Sequence, residues 1–141
     1  TPMQEQDRSQ PDFPQYTIEW AKNLGIVLVG CDLGDYELEL VGEELAKKFP
    51  KRYLRDPDTG IIVVKDANGE ISDLNAQDNR VIPYRERRMG NKCVEYTRKT
   101  ERPLIQIVGG GHVVESSAMH PILRANKISY VLIDQAKHRA I

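Results

Sequence analysis

Short, uninterrupted apolar runs alternate along this chain with polar turns and amphipathic stretches. The runs at residues 25–30, 104–108 and 128–133 are rich in β-branched residues and are bounded by glycine, proline or charged residues. Runs of this length without polar alternation are typical of strands that are buried on both faces of a parallel sheet. The pattern therefore predicts an α/β fold, with helices on both sides of a mostly parallel sheet.

Helical spacing and turn chemistry predict the other elements. Residues 41–49 carry apolar positions at helical spacing, with glutamates early and lysines late, an order that suits the helix dipole. The apolar run at 61–65 is followed by Asp-Ala-Asn-Gly at 66–69, whose Asn-Gly favours a tight turn. We therefore expect a β-hairpin that decorates the sheet. The remaining predictions are helices at 16–23 and 113–126, a helix or irregular segment at 93–100, and a brief strand at 79–84.

Composition indicates one domain preceded by a tail. The chain has 141 residues, of which 40% are hydrophobic and 29% charged, enough for one core. Residues 1–15 hold three prolines and many polar side chains, so we expect a flexible tail or linker remnant, followed by a single domain at 16–141. Because neither a signal-peptide core nor a run of 18 apolar residues is present, we expect a cytoplasmic protein without membrane contact. Cys31 and Cys93 have no metal-type spacing, and we expect neither metal nor cofactor.

Three consecutive glycines carry the main functional signal. Gly109, Gly110 and Gly111 follow the predicted strand 104–108, where glycine lets the backbone turn sharply and approach a ligand. Asp32 follows another predicted strand and Asp134 ends the last one, so these groups are expected at one sheet edge. The predicted ligand-binding set is Gly109, Gly110, Gly111, His112, Glu115, Asp134 and Asp32.

Charge is divided unevenly along the chain and supports a different interpretation. Residues 1–79 hold 16 acidic and 8 basic side chains, whereas residues 80–141 hold 5 acidic and 12 basic ones. The segment 80–102 interleaves tyrosines with basic side chains, a composition that suits phosphate neutralisation and base stacking. The residues proposed for this nucleic-acid alternative are Arg85, Arg87, Arg88 and Lys92.

Two further alternatives remain open from the residues alone. Gly109-x-Gly111-x-x-Val114 imitates a dinucleotide-binding fingerprint, with Asp134 near the distance needed for a ribose hydroxyl, although the third small position is valine. The glycine turn can also serve only the close packing of a strand and a helix, in which case the chain is an interaction or assembly module without a ligand.

The order of these motifs resembles that of a known family. Gly-Ile-Val-Leu-Val-Gly at 25–30, the hairpin at 65–70, and the closing Gly-Gly-Gly, Glu115 and Val-Leu-Ile-Asp at 131–134 are similar to the sugar-binding effector domain of SorC-type bacterial transcription regulators. That domain belongs to the wider fold of ribose-5-phosphate isomerase and glucosamine-6-phosphate deaminase. The resemblance covers residues 24–141 and matches only the later half of such a domain.

The resemblance implies a Rossmann-like domain that binds a phosphorylated sugar at the carboxyl ends of its strands. It also implies an upstream DNA-binding segment and assembly into a homo-oligomer. Val113 and Val114 stand where the family usually places a phosphate-binding lysine. We therefore expect a non-enzymatic effector-binding domain for a small polar or phosphorylated metabolite.

Overall fold

The structure, a computed structural model, describes residues 13–132, with side chains from residue 15 onward. It divides into two units, Thr1–Gly30 and Cys31–Ile141. The described residues form four α-helices, one 3₁₀ turn and a three-stranded sheet. In chain order these are α1 (Phe13–Leu24), α2 (Asp35–Lys48), β1 (Tyr53–Arg55), β2 (Ile62–Lys65), β3 (Ile71–Asp73), α3 (Ile82–Thr100), the 3₁₀ turn (Gly110–His112) and α4 (Met119–Ala125).

The first unit contains α1 as its one described helix. Gly25 has a φ of +68° and ends the helix, because glycine adopts this left-handed conformation without steric cost. The Ile26 N–H then donates to the carbonyl of Ala21, at 2.8 Å. The apolar side chains that follow are exposed, and Val27 is the most exposed of them at 84%.

In the second unit, α2 packs on an antiparallel sheet of order β1-β2-β3. Tyr53 pairs with Val64 across β1 and β2, and Val64 pairs with Ser72 across β2 and β3. The buried side chains between helix and sheet form one cluster, namely Val41, Leu45, Tyr53, Ile62, Val64 and Val81. Gly42 allows close contact, because a β-carbon there would lie 2.7 Å from Cδ2 of Leu74.

The long helix α3 packs against α4 in the same unit. A β-carbon on Gly90 would meet three atoms of Ile122 at 3.4 Å, so the small residue permits this close crossing. Pro83 lies in the first turn of α3, where its missing N–H has no helical partner to lose. Residues 79–81 form the turn before α3 and Ile82 begins the helix, so the predicted strand at 79–84 is wrong.

The predicted Rossmann-like three-layer sheet with mostly parallel strands is wrong. The runs at 25–30, 104–108 and 128–132 form no strand, and Ile133 lies outside the described residues. Within the described chain, residues 104–108 make no backbone–backbone hydrogen bond, and Ile105 is 89% exposed. A β-branched run forms a strand only where another strand completes its hydrogen bonds. Here the sheet is built from three other segments, and all of its strands are antiparallel.

The predictions of individual helices and of the hairpin agree with the structure more closely than the predicted sheet does. The hairpin is present, since β2 and β3 flank the Asn-Gly turn, in which Gly69 has a φ of +82°. Its predicted role as a decoration is wrong, because these two strands belong to the three-stranded sheet itself. Helices exist near 16–23 and 41–49, and α2 begins earlier than predicted, at Asp35. The predicted helix 113–126 shortens to Met119–Ala125. Most of the predicted tail lies outside the described residues.

No helix between residues 13 and 132 combines the length and the apolar character needed to cross a bilayer.

Candidate functional site

A cavity of about 360 Å³ lies in the second unit, beside α3 and the glycine turn. Its apolar side chains come from α3 and from the segment before the 3₁₀ turn. Its polar groups come from the loop before α2, the loop before α3, α3 itself and the 3₁₀ turn. The lining residues are Cys31, Asp32, Gln77, Ile82, Arg85, Met89, Ile107, Val108, Gly109, Gly111 and His112.

One face of α3 forms a wall of this cavity. Ile82, Arg85 and Met89 line it, and their spacing of three and four residues places them on the same side of a helix. The side chain of Gln106 donates to the carbonyl of Met89, at 3.0 Å. This bond joins α3 to the segment that carries Ile107 and Val108. The helix therefore holds the opposite wall in position.

An ion pair between Asp32 and Arg85 closes one side of the cavity. Nε of Arg85 lies 3.1 Å from both carboxylate oxygens and Nη2 lies 2.7 Å from Oδ2, so the guanidinium binds the carboxylate in a bidentate manner. Nη1 donates to the carbonyl of Ala76 at 2.8 Å, which attaches the loop before α3 to the same guanidinium. Arg85 is thus held on two sides, with 12% of its side chain exposed.

This pairing determines the charge state of both groups. Partial burial of Asp32 alone would raise the pKa of its carboxyl, but hydrogen bonds from Arg85 and from the Leu33 N–H outweigh burial and lower that pKa below its ordinary value. The hydrogen bond to the Asp32 carboxylate raises the pKa of the Arg85 guanidinium. Both groups are charged at neutral pH, and their charges cancel.

The glycine turn presents backbone and one imidazole to the cavity. The His112 N–H donates to the carbonyl of Gly109 at 2.9 Å, which closes the 3₁₀ turn. A β-carbon on Gly110 or on Gly111 would meet no atom within 4 Å, so open space surrounds this backbone. Gly111 lines the cavity and Gly110 does not.

Below the turn, His112 and Glu86 form a buried polar pair. Nδ1 of His112 lies 3.8 Å from Oε1 of Glu86, and both side chains are largely buried. The other carboxylate oxygen of Glu86 accepts a hydrogen bond from the Ala118 N–H, at 3.0 Å. Nδ1 itself is buried and has no hydrogen-bond partner among the described residues.

The predicted ligand-binding set is partly brought together. Asp32, Gly109, Gly111 and His112 line the same cavity although 79 residues separate Asp32 from Gly111 in the numbering. Gly110 belongs to the turn without lining the cavity, and Glu115 is exposed outside it. Asp134 lies outside the described residues. Sequence reasoning missed Gln77, Ile82 and Met89, of which the helical spacing of Ile82 and Met89 is the usable signal.

The basic residues proposed for nucleic-acid binding lie on α3, where acidic partners hold most of them. Arg85 pairs with Asp32, Arg88 lies 3.0 Å from Glu37, and Lys92 lies 3.3 Å from Glu95. Arg87 instead lies over the ring of Tyr84, with 4.6 Å between the guanidinium carbon and the ring centroid. Three of the four proposed cations are therefore neutralised by a neighbouring acid.

The remaining chemistry-bearing side chains are His120 and two cysteines. His120 uses both ring nitrogens, with Tyr130 Oη at 2.8 Å and the Val114 carbonyl at 2.9 Å. Between residues 13 and 132, no three histidine, cysteine, aspartate or glutamate side chains are grouped as a metal site. Cys31 and Cys93 are free thiols, and burial raises the pKa of Cys93.

Comparison of the chain with protein-family models, with curated proteins and with solved structures found no match.

Proposed function

We propose that this chain is a non-enzymatic binding domain for a small polar metabolite, which occupies the cavity beside the glycine turn. One observation carries the proposal: polar groups from four separate stretches of chain converge on a single space of about 360 Å³. That volume lies within the range of ordinary small-molecule sites. An apolar wall with a few converging polar groups is also the usual composition of such sites.

The charge balance of the cavity indicates which ligand groups fit. Because Asp32 and Arg85 neutralise each other, the site offers paired donors and acceptors rather than a net positive charge. Such a pair can bind hydroxyl groups through either member. A phosphate group would depend on the amides of the glycine turn and on His112, since no lysine among residues 13–132 lines the cavity. We therefore propose that the polar, hydroxyl-bearing part of the metabolite lies at the ion pair.

Binding without catalysis is supported by the state of the side chains. The Asp32 carboxylate accepts hydrogen bonds from Arg85 and from a backbone N–H, and its lowered pKa makes it a weak base. No hydrogen bond joins the Cys31 thiol to a base within the described chain, so an activated nucleophile is missing there. We propose an effector role for the ligand, in line with the regulator type that the motif order resembles.

Neighbouring glycines provide a matched test. Gly111→Leu places a side chain at the cavity, whereas Gly110→Leu adds the same side chain one residue away, and neither new β-carbon meets another atom within 4 Å. The purified protein is heated with free sugars, sugar phosphates and nucleotides at millimolar concentration. A ligand at 100 times its Kd stabilises the native state by about 2.7 kcal/mol, which raises the midpoint temperature of thermal unfolding.

We expect one class of these compounds to raise the midpoint of the native protein and of Gly110→Leu, but not that of Gly111→Leu. If no compound shifts the native protein, or if both leucine variants respond as the native protein does, the binding proposal is wrong.

A second candidate function is assembly of identical chains through the segment 104–108. Ile105 is 89% exposed and Ile107 is 56% exposed, and the backbone of this segment has no backbone partner within the described chain. Large exposed β-branched side chains on unpaired backbone favour association with another chain. This candidate is tested by light scattering of the native protein and of Ile105→Lys. Assembly predicts an oligomer that the lysine dissociates, and a native monomer would contradict it.

A further inference from the structure

A basic and aromatic cluster lies in the second unit and shares no residue with the lining of the glycine-turn cavity. It consists of Lys47, Phe49, Lys51, Arg52 and Arg80, and we call it the basic-aromatic cluster. Its members come from the end of α2, from the turn into β1 and from the turn before α3. Phe49, Lys51, Arg52 and Arg80, together with Pro50, line a surface depression of about 300 Å³.

Arg80 and Phe49 form the centre of this cluster. The guanidinium carbon of Arg80 lies 4.2 Å from the centroid of the Phe49 ring and 6.0 Å from that of Tyr53. A guanidinium at this distance stacks on an aromatic ring and keeps its N–H groups free to donate outward. Phe49 is 39% exposed, so part of the residue remains accessible beside the guanidinium.

Backbone hydrogen bonds hold both turns of the cluster in place. The Arg52 and Tyr53 N–H groups both donate to the Phe49 carbonyl, at 3.1 and 3.0 Å. On the other side, the Arg80 N–H donates to Oδ1 of Asp78, at 2.8 Å, and the same oxygen accepts from the Tyr53 hydroxyl. Val81, next to Arg80, is fully buried. The cluster is therefore attached to the hydrophobic core and is already arranged before any partner binds.

The charges of this cluster are unpaired, in contrast to those on α3. Lys47, Lys51, Arg52 and Arg80 are all exposed, and none forms an ion pair with a described residue. Lys51, Arg52 and Arg80 line the same depression, so their like charges repel one another and an anionic partner would relieve that repulsion. The region thus combines cations without an ion-pair partner with an aromatic ring.

We propose that the basic-aromatic cluster binds single-stranded nucleic acid. An unpaired base stacks on the exposed surface of Phe49 and Arg80, while Lys51 and Arg52 contact the phosphates on either side. Proteins that bind single strands without reading their sequence combine two contacts: bases stack on aromatic side chains, and cations neutralise the phosphates of the nucleic acid. An isolated phosphate would contact the cations but would make no contact with the Phe49 ring. In a double helix the bases are stacked on one another, so no base face is available to stack on Phe49.

Fluorescence anisotropy with a labelled 12-nucleotide single strand tests this site in the full chain. We expect binding at low salt that weakens as salt rises, with a slope of about −0.7 in log K against log salt for each phosphate that is neutralised. Phe49→Leu keeps the apolar volume but removes the ring. It is expected to weaken binding about fivefold or more, since stacking on an aromatic side chain is worth ~1–3 kcal/mol for each base.

Charge-matched double variants separate this cluster from α3. Lys51→Gln with Arg52→Gln should reduce the salt slope by about 1.4, because two phosphate contacts are removed. Arg87→Gln with Lys99→Gln removes the same charge from two side chains that lie over tyrosine rings of α3, and should leave affinity nearly unchanged.

Four outcomes would overturn the proposal. The first is no binding at low salt. The second is equal loss in the two double variants, which would mean attraction by overall charge. The third is unchanged affinity of Phe49→Leu, which would mean that no base stacks on the ring. The fourth is equal competition by heparin and anionic vesicles, which would mean a general polyanion surface.

Discussion

The two halves of the second unit use their apolar residues in opposite ways. Between α2 and the antiparallel sheet, the apolar side chains are buried against one another, and Leu45 and Tyr53 have 2% and 1% of their surface exposed. Around the glycine turn, Ile105 and Ile107 are largely exposed although the run 104–108 is equally rich in β-branched residues. The apolar surface that a region buries, rather than its amino-acid composition, determines how much that region contributes to the free energy of unfolding.

This difference separates the hydrophobic core from the proposed binding region within one unit. The helix–sheet region provides the core, and the glycine-turn region provides open backbone, a cavity and an ion pair. Substitutions in the first region should therefore lower the free energy of unfolding, whereas substitutions in the second should alter the proposed ligand binding with little effect on stability.

Truncation of the core should have the largest effect. Leu45→Ala removes three buried carbon atoms and leaves a cavity, so the free energy of unfolding should fall by about 2–4 kcal/mol. Ile105→Ala removes a similar volume from an exposed side chain and should change the free energy by less than about 0.5 kcal/mol. Urea denaturation followed by circular dichroism measures both. Equal losses would mean that the glycine-turn region is packed in solution.

Two glycines give the next largest contrast. In Gly42→Ala the new β-carbon would lie 2.7 Å from Cδ2 of Leu74 and 3.2 Å from Cβ of Ile62, so we expect a loss of about 1–3 kcal/mol. Gly110→Ala meets no atom within 4 Å, and stability should be unchanged or slightly higher. A neutral Gly42→Ala in the same denaturation experiment would show that α2 packs more loosely on the sheet.

A single hydroxyl gives a smaller effect. Tyr53→Phe removes the hydrogen bond that the phenol donates to Oδ1 of Asp78, at 2.8 Å, and should cost about 1 kcal/mol. Tyr36 is 73% exposed, and Tyr36→Phe is the matched control with no expected change. Thermal unfolding of the two variants side by side decides whether the core depends on this buried hydroxyl.

The Asp32–Arg85 pair should give the smallest effect on stability. A double-mutant cycle with Asp32→Asn and Arg85→Gln is expected to yield a coupling of ~0.5–1 kcal/mol, because the carboxylate is partly exposed and solvent screens the attraction. The folded state lowers the pKa of Asp32, so this coupling is fully present above the ordinary value of 3.8 and is lost as pH falls below it. A coupling that is the same at pH 7 and pH 2.5 would contradict an ionic origin.

Local signals in the sequence were sufficient where the structure is local. The hairpin at 66–69 is predictable because Asn-Gly and the preceding apolar run 61–65 lie within a few residues of one another. The run at 104–108 misled the fold prediction, because a strand requires partners that its own sequence does not specify. The wrong parallel sheet follows from that one assumption, applied three times.

The candidate site was partly predictable for a similar reason. The glycine and aspartate signals select Asp32, Gly109 and His112, which line one cavity in the structure although the predicted sheet edge is absent. Arg85 was assigned to nucleic-acid binding from the sequence. Its partner Asp32 is 53 residues away, and the sequence around Arg85 does not indicate that the two residues form an ion pair. Likewise, the basic-aromatic cluster joins residue 80 to residues 47–52, and only the fold brings these positions together.

The two contacts of His120 orient its ring. The Val114 carbonyl can only accept, so Nε2 carries a hydrogen and donates to it at 2.9 Å. The other ring nitrogen, Nδ1, lies 2.8 Å from the Tyr130 hydroxyl. The backbone just after the glycine turn is thus tied to α4 through an imidazole that is held on both sides.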